Sequence, residues 1–136
     1  MEKIIIEPIG VIKSPFKEVK DIPPQSIFAD EKVAIIEIDK KYQDGLKDLE
    51  ACSHIVIQFY FHKSTGYKLI TKTPWGDEKK GVFSTRSPNR PNHLGITIAK
   101  LLRVEDGKIE IKGVDMLDKT PIIDIKPYVK ELNPKL

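Results

Sequence analysis

Residues 96–114 read Ile-Thr-Ile-Ala-Lys-Leu-Leu-Arg-Val-Glu-Asp-Gly-Lys-Ile-Glu-Ile-Lys-Gly-Val, and this stretch decides the fold class. Asp106-Gly107 between two β-branched runs is a strong hairpin signal, because both centres of a tight two-residue turn take positive φ. Ile109 and Ile111 alternate with Glu110 and Lys112, the period of a strand with one wet face. Upstream, His54 to Phe61 (His-Ile-Val-Ile-Gln-Phe-Tyr-Phe) is the most apolar run and predicts a central strand. Val33 to Ile38 predicts another, and Ile122, Ile123 and Ile125 a last short one ended by Pro127. Ile4 to Ile6 and Ile9 to Ile12 flank Pro8 and predict an edge strand with a break. Lys68 to Thr73 predicts a further strand, followed by a polar turn from Pro74 to Lys80. Ser14 to Pro24, with three prolines, reads as a long loop. Tyr42, Leu46 and Leu49 fall at helical spacing, with Asp44 placed to cap one short helix. Six or seven strands and one helix predict a mainly β fold, a small barrel or curled mixed sheet.

The length of 136 residues suits a single domain over the whole chain. Net charge is only +3, compatible with a polyanionic partner without requiring one. Lys63, Lys68, Lys72, Lys79 and Lys80 nevertheless concentrate in one region. Cys52 is the only cysteine, which excludes an internal disulfide and leaves a packing thiol as the expected role. Three scattered histidines, His54, His62 and His93, give no basis for a metal site. No apolar run approaches the roughly 18 residues of a membrane span and no signal peptide opens the chain, so a cytoplasmic protein is expected. The glycine patterns of dinucleotide and phosphate-loop folds are absent.

Gly81 to Gly95 (Gly-Val-Phe-Ser-Thr-Arg-Ser-Pro-Asn-Arg-Pro-Asn-His-Leu-Gly) carries the densest chemistry. A strand-like opening, Val82-Phe83, leads into a loop in which Pro88 and Pro91 hold Ser87 and Arg90 extended. Arg86 and Arg90 present planar forks suited to carboxylate or phosphate.

This loop, with four other segments, resembles the TrmO family of tRNA methyltransferases, also called TsaA-like proteins. Ile9 to Phe16 is similar to the family's opening and Pro23-Pro24-Gln25 to its Pro-x-Gln. Leu49 to His62 resembles its Leu-Glu-x-x-Ser-His strand ending in Phe-His, and Asp115 to Tyr128 its closing Asp-x-x-Asp-x-Thr-Pro motif. The resemblance implies a barrel-shaped methyltransferase core without a further C-terminal domain. It also implies S-adenosylmethionine as methyl donor, N6 of threonylcarbamoyl-adenosine beside the tRNA anticodon as acceptor, and a homodimer. Two positions depart from the pattern. His93 stands where the family often has proline. Lys119 stands where it usually has glycine, which argues against a turn needing positive φ and offers an additional phosphate contact.

On this resemblance the expected cofactor-binding positions are Gln25, Ser26, Ile27, Phe61, His62, Ser87, Thr97, Asp118, Lys119, Thr120 and Pro121. Arg86, Arg90 and Asn92 are expected to face the modified nucleoside. Asp124 and Tyr128 stand as candidate proton acceptors and Lys126 as a charge stabiliser. The arginines have two readings, a grip on the threonine carboxylate or on tRNA phosphate. Two other functions remain in view: a non-catalytic tRNA- or nucleotide-binding barrel, and a small hydrolase using His62 with Ser84 or Ser87. The latter lacks a nucleophile-elbow glycine pattern.

Overall fold

A computed structural model of the chain describes residues 1–21, 32–73 and 76–136. Through them run β1 (Gly10–Lys13), β2 (Val33–Ile38), β3 (His54–Tyr60), β4 (Ile70–Lys72), β5 (Lys79–Gly81), β6 (Leu94–Glu105), β7 (Lys108–Lys112) and β8 (Pro121–Pro127). Six of these close a barrel in the order β1-β2-β7-β6-β3-β8, and β4 pairs with β5 in a separate two-stranded ribbon. The strand pairings among the described residues are antiparallel, and an isolated parallel bridge joins Phe16 and Leu117.

Period-two alternation builds the interior. Ile12, Ile36, Ile55, Ile57, Ile109, Ile111 and Ile122 are fully buried, one or two from each barrel strand except β6, which contributes Ala99 and Leu101, with Ala34, Ile38 and Phe59 between them. The β6–β7 hairpin turns at Asp106 (φ 52) and Gly107 (φ 73), both left-handed as the dipeptide required. Bulges near Leu102 in β6 and beside Gln58 in β3 supply the local bending that a small closed barrel needs.

Several expectations are corrected. Residues 4–6 join no strand; their side chains are exposed, and pairing begins only after Pro8, which has no N–H to give. β1 is not an edge, because β2 and β8 flank it on both sides. The helix expected around Tyr42 to Leu49 is instead two 3-10 segments, Lys40–Leu46 and Leu49–Ala51. The cap of the first is Asp39, whose carboxylate accepts from the Lys41 N–H at 3.2 Å, not Asp44. Gly45 within the segment and Asp48 at φ 68 after it disfavour a longer α-helix, while Tyr42, Leu46 and Leu49 still pack against the core. Val82-Phe83 is a 3-10 turn over Val82–Ser84 rather than a strand.

Candidate functional site

Where β3 ends, the chain passes from Tyr60 into Phe61-His62, and the Phe61 N–H donates to the His93 carbonyl at 2.8 Å. That bond fastens the end of β3 to the end of the arginine loop. Phe61 lies edge-on to Phe59, with ring centroids 5.0 Å apart and planes at 73°. Gly95 makes the pair possible. A Cβ there would stand 2.5 Å from Phe59 Cζ and 2.8 Å from Phe61 Cζ, closer than carbon atoms tolerate.

Both rings line a cavity of about 860 Å³. Its other walls come from His62, Lys63, Ser64 and Thr65 after β3, from Thr85, Arg86, Pro88, Asn89 and Arg90 in the arginine loop, and from Asp115, Met116, Leu117 and Thr120 before β8. Gln58, Leu94 and Ile96 carry it onto the outer face of the sheet, and Val19 adds to the rim. This is within the size range of small-molecule sites, with an apolar wall at Phe59, Phe61, Leu94, Ile96, Met116 and Leu117 facing a polar and charged one.

The arginine loop is stapled to itself. Thr85 Oγ1 donates to the Val82 carbonyl at 2.8 Å, and the Asn89 N–H donates to Ser87 Oγ at 3.2 Å. His93 Nδ1 lies 2.9 Å from the Pro88 carbonyl, which can only accept, so Nδ1 carries the proton. Arg90 is drawn into the same web: its Nη1 donates to the carbonyls of Thr85 at 2.9 Å and Ser87 at 3.1 Å. Arg86 is exposed and makes no side-chain hydrogen bond or ion pair with a described residue. The two forks therefore differ in duty. Arg90 holds the loop; Arg86 is open to a ligand.

His93 sits at φ 51, a conformation proline cannot take, so the departure from the family pattern matches the backbone here. Burial, then the charge of Lys63, pushes the His62 imidazolium to give up its proton more readily than an ordinary histidine. His62 is therefore neutral at pH 7.

The other expected site residues are placed variously. Asp118 is committed to structure: its Oδ1 accepts from the Ser14 N–H at 2.9 Å and its Oδ2 pairs with Lys17 at 3.0 Å. Burial raises its pKa, but the Ser14 bond and the Lys17 and Lys119 charges outweigh that and lower it below the usual value. Lys119 is exposed and adopts the left-handed turn after all, at φ 69, anchored by its N–H to the Ile12 carbonyl. Thr120 lines the cavity, but its hydroxyl is bonded to the Leu117 carbonyl at 2.6 Å. Thr97 points into the barrel, and its hydroxyl is buried without a hydrogen-bond partner. Ser87, Asn92 and Pro121 flank the cavity without lining it. Gln25, Ser26 and Ile27 lie outside the described residues.

Asp124, Lys126 and Tyr128 are not brought to the arginines within one chain. Asp124 pairs with Lys126 on β8 and lines a second cavity of about 370 Å³ with Ile9, Tyr42 and Cys52. Tyr128 packs edge-on to His54, at the start of β3, whereas Phe61 follows its end. Seven residues of strand separate those ends by about 20 Å. Asp115, absent from the expected site residues, opens the closing motif and lines the main cavity.

A family model, the tRNA-methyltransferase O N-terminal domain, matches residues 11–133. The chain belongs to the TrmO family. An S-adenosyl-L-methionine-binding protein of Archaeoglobus fulgidus is 42% identical over 130 residues, covering 96% of this chain and 93% of that protein. A tRNA (adenine(37)-N6)-methyltransferase of Mus musculus is 42% identical over 135 residues, covering 94% of this chain but 31% of its own length. The crystal structure of TrmO from Pseudomonas aeruginosa superposes with a TM-score of 0.80 at 33% identity, over 97% of this chain and 58% of that one. The barrel described above is thus the fold of the TrmO family. Among the described residues no helix is long and apolar enough to cross a membrane.

Proposed function

We propose that the protein is an S-adenosylmethionine-dependent tRNA methyltransferase acting on N6 of threonylcarbamoyl-adenosine beside the anticodon, in the cytoplasm. The observation that carries this is the meeting around one cavity of Phe61, His62, Asp115 and an Arg86 that no described residue pairs with. The donor fits this set: Phe59 and Phe61 offer faces for adenine and for a sulfonium, and the Asp115 carboxylate offers a counter-charge. When bound, S-adenosylmethionine supplies an electrophilic methyl group.

The chain's own residues do the rest. Arg86 pairs through its planar fork with the threonine carboxylate of the modified base, which distinguishes it from plain adenosine. The alternative grip, on phosphate, serves RNA of any modification state. Neutral His62 accepts the N6 proton, since a urea-like nitrogen attacks poorly while it keeps that proton. Arg90, held by two carbonyls, keeps the loop in the shape that aims Arg86. The aromatic wall keeps water from the reacting atoms.

A homodimer is part of this proposal. Tyr60, Leu94, Ile96, Ile98 and Leu102 are exposed along β3 and β6, an apolar stripe continuous with the cavity at Leu94 and Ile96. A second copy on that stripe would wall the cavity's open side, and sedimentation analysis tests it. The enzyme is tested by transfer of labelled methyl from S-adenosylmethionine to tRNA. Transfer by the wild type, lost in Arg86→Ala with folding intact, supports the assignment; no transfer by the wild type overturns it.

A further inference from the structure

The β4–β5 ribbon stands apart from the barrel, and nothing above gives it a task. It lies in the basic part of the chain. Residues 63–90 hold seven lysines and arginines against two acids, a net +5 in a chain whose total is +3, and residues 66–83 themselves hold four lysines against Asp77 and Glu78, a net +2. The rest of the molecule is slightly acidic.

None of Lys63, Lys68, Lys72, Lys79 and Lys80 forms a side-chain hydrogen bond or ion pair with a described residue. Lys72 and Lys79 are direct cross-strand partners. Like charges set opposite one another destabilise a ribbon that is already marginal on its own. An external polyanion would relieve that repulsion.

Rings accompany the charge. Tyr67 is 58% exposed and Phe83 79%, one before β4 and the other just after β5. The ribbon's base is tied to the cavity wall where the Lys68 N–H donates to the Asn89 carbonyl at 3.3 Å, while the Val82 N–H, donating to the Leu69 carbonyl at 2.8 Å, extends the ribbon's own ladder. Asn89 itself lines the cavity. The arm thus rises from the cavity's rim, with cations along it and aromatic faces at its root.

We infer that this arm, residues 66–73 and 76–83, binds the single-stranded RNA flanking the target nucleotide, with Tyr67 and Phe83 stacking on unpaired bases and Lys72, Lys79 and Lys80 meeting phosphates. It rests on the tRNA reading above. Single-stranded loops are where proteins splay and stack bases, and lysines beside exposed rings are the means. Leu69 and Ile70 are exposed on the same arm, but a protein partner covering them would also have to cover Lys68 and Lys72 beside them, whereas RNA takes up cations and rings together.

The test is binding of a fluorescent anticodon stem-loop RNA to the full chain across a salt series, with methyl transfer to tRNA assayed in parallel. Lys72→Gln/Lys79→Gln should make the slope of log affinity against log salt shallower by about 1.4. Tyr67→Ala should raise Kd roughly tenfold and leave the slope alone. Donor-induced thermal stabilisation should be unchanged in both, which shows that the barrel and cavity are intact. RNA binding and slopes equal to wild type in both variants would overturn the inference, and would turn attention to a protein ligand for the arm. Variants that lose RNA binding while even the wild type fails to methylate would uphold the arm and overturn the enzyme reading instead.

Discussion

Arg90 Nη1 sits 2.9 Å from the carbonyl of Thr85, the residue immediately before Arg86. One arginine thus fixes the backbone from which the other projects. Arg86→Ala should abolish most methyl transfer while stability stays within about 0.5 kcal/mol, as for a surface change. Arg90→Ala should cost about 1–2 kcal/mol in stability as well, because two loop carbonyls lose their donor. Urea denaturation beside kcat/KM separates the two.

Gly95→Ala should push against the Phe59 and Phe61 rings and destabilise by about 1–3 kcal/mol, the usual cost of overpacking. Donor affinity should fall with it. Calorimetric titration with S-adenosylhomocysteine checks this, and an unaltered affinity would mean that Phe61 does not face the donor.

Lys119 pays a left-handed penalty that glycine would not. Lys119→Gly should stabilise the fold by about 1 kcal/mol, visible as a higher urea midpoint at unchanged slope.

His62 has its pKa lowered, so the acid limb of the kcat/KM profile should lie below pH 6.5 instead of centring there. Stability follows the same sign. The unfolded chain takes up the proton near pH 6.5 while the folded one resists it, so stability present above that pH declines as pH falls further. His62→Gln should flatten both dependences over this window.

How much of this was legible depended on whether the cause was local. Val33–Ile38 and the Asp106-Gly107 turn were readable because alternation and turn chemistry are carried by neighbouring residues. The 3-10 segments were mistaken for an α-helix because tertiary packing of Tyr42, Leu46 and Leu49 holds either form, and only the backbone at Asp48 distinguishes them. Ile4 to Ile6 carry strand propensity but pair with no strand among the described residues. The arginine loop announced its stiffness through its prolines, yet nothing in its composition told which fork its own carbonyls would occupy. Asp115 and Asp124 are nine residues apart in one motif, and only strand direction reveals that they serve different cavities.

Ligand linkage gives an independent check on the cavity. S-adenosylmethionine or its homocysteine product, at about 100 times the dissociation constant, should add roughly 2.7 kcal/mol of stability. Thermal melting of wild type and Gly95→Ala side by side would show whether the gain depends on the Phe59–Phe61 wall.

The central claim is transfer of a methyl group to N6 of an already modified adenosine in tRNA. Mass analysis of nucleosides after incubation with S-adenosylmethionine tests it most directly, using tRNA with and without threonylcarbamoyl-adenosine. A gain of one methyl on threonylcarbamoyl-adenosine, with plain adenosine untouched, is the expected result; equal methylation of both, or of neither, would contradict it.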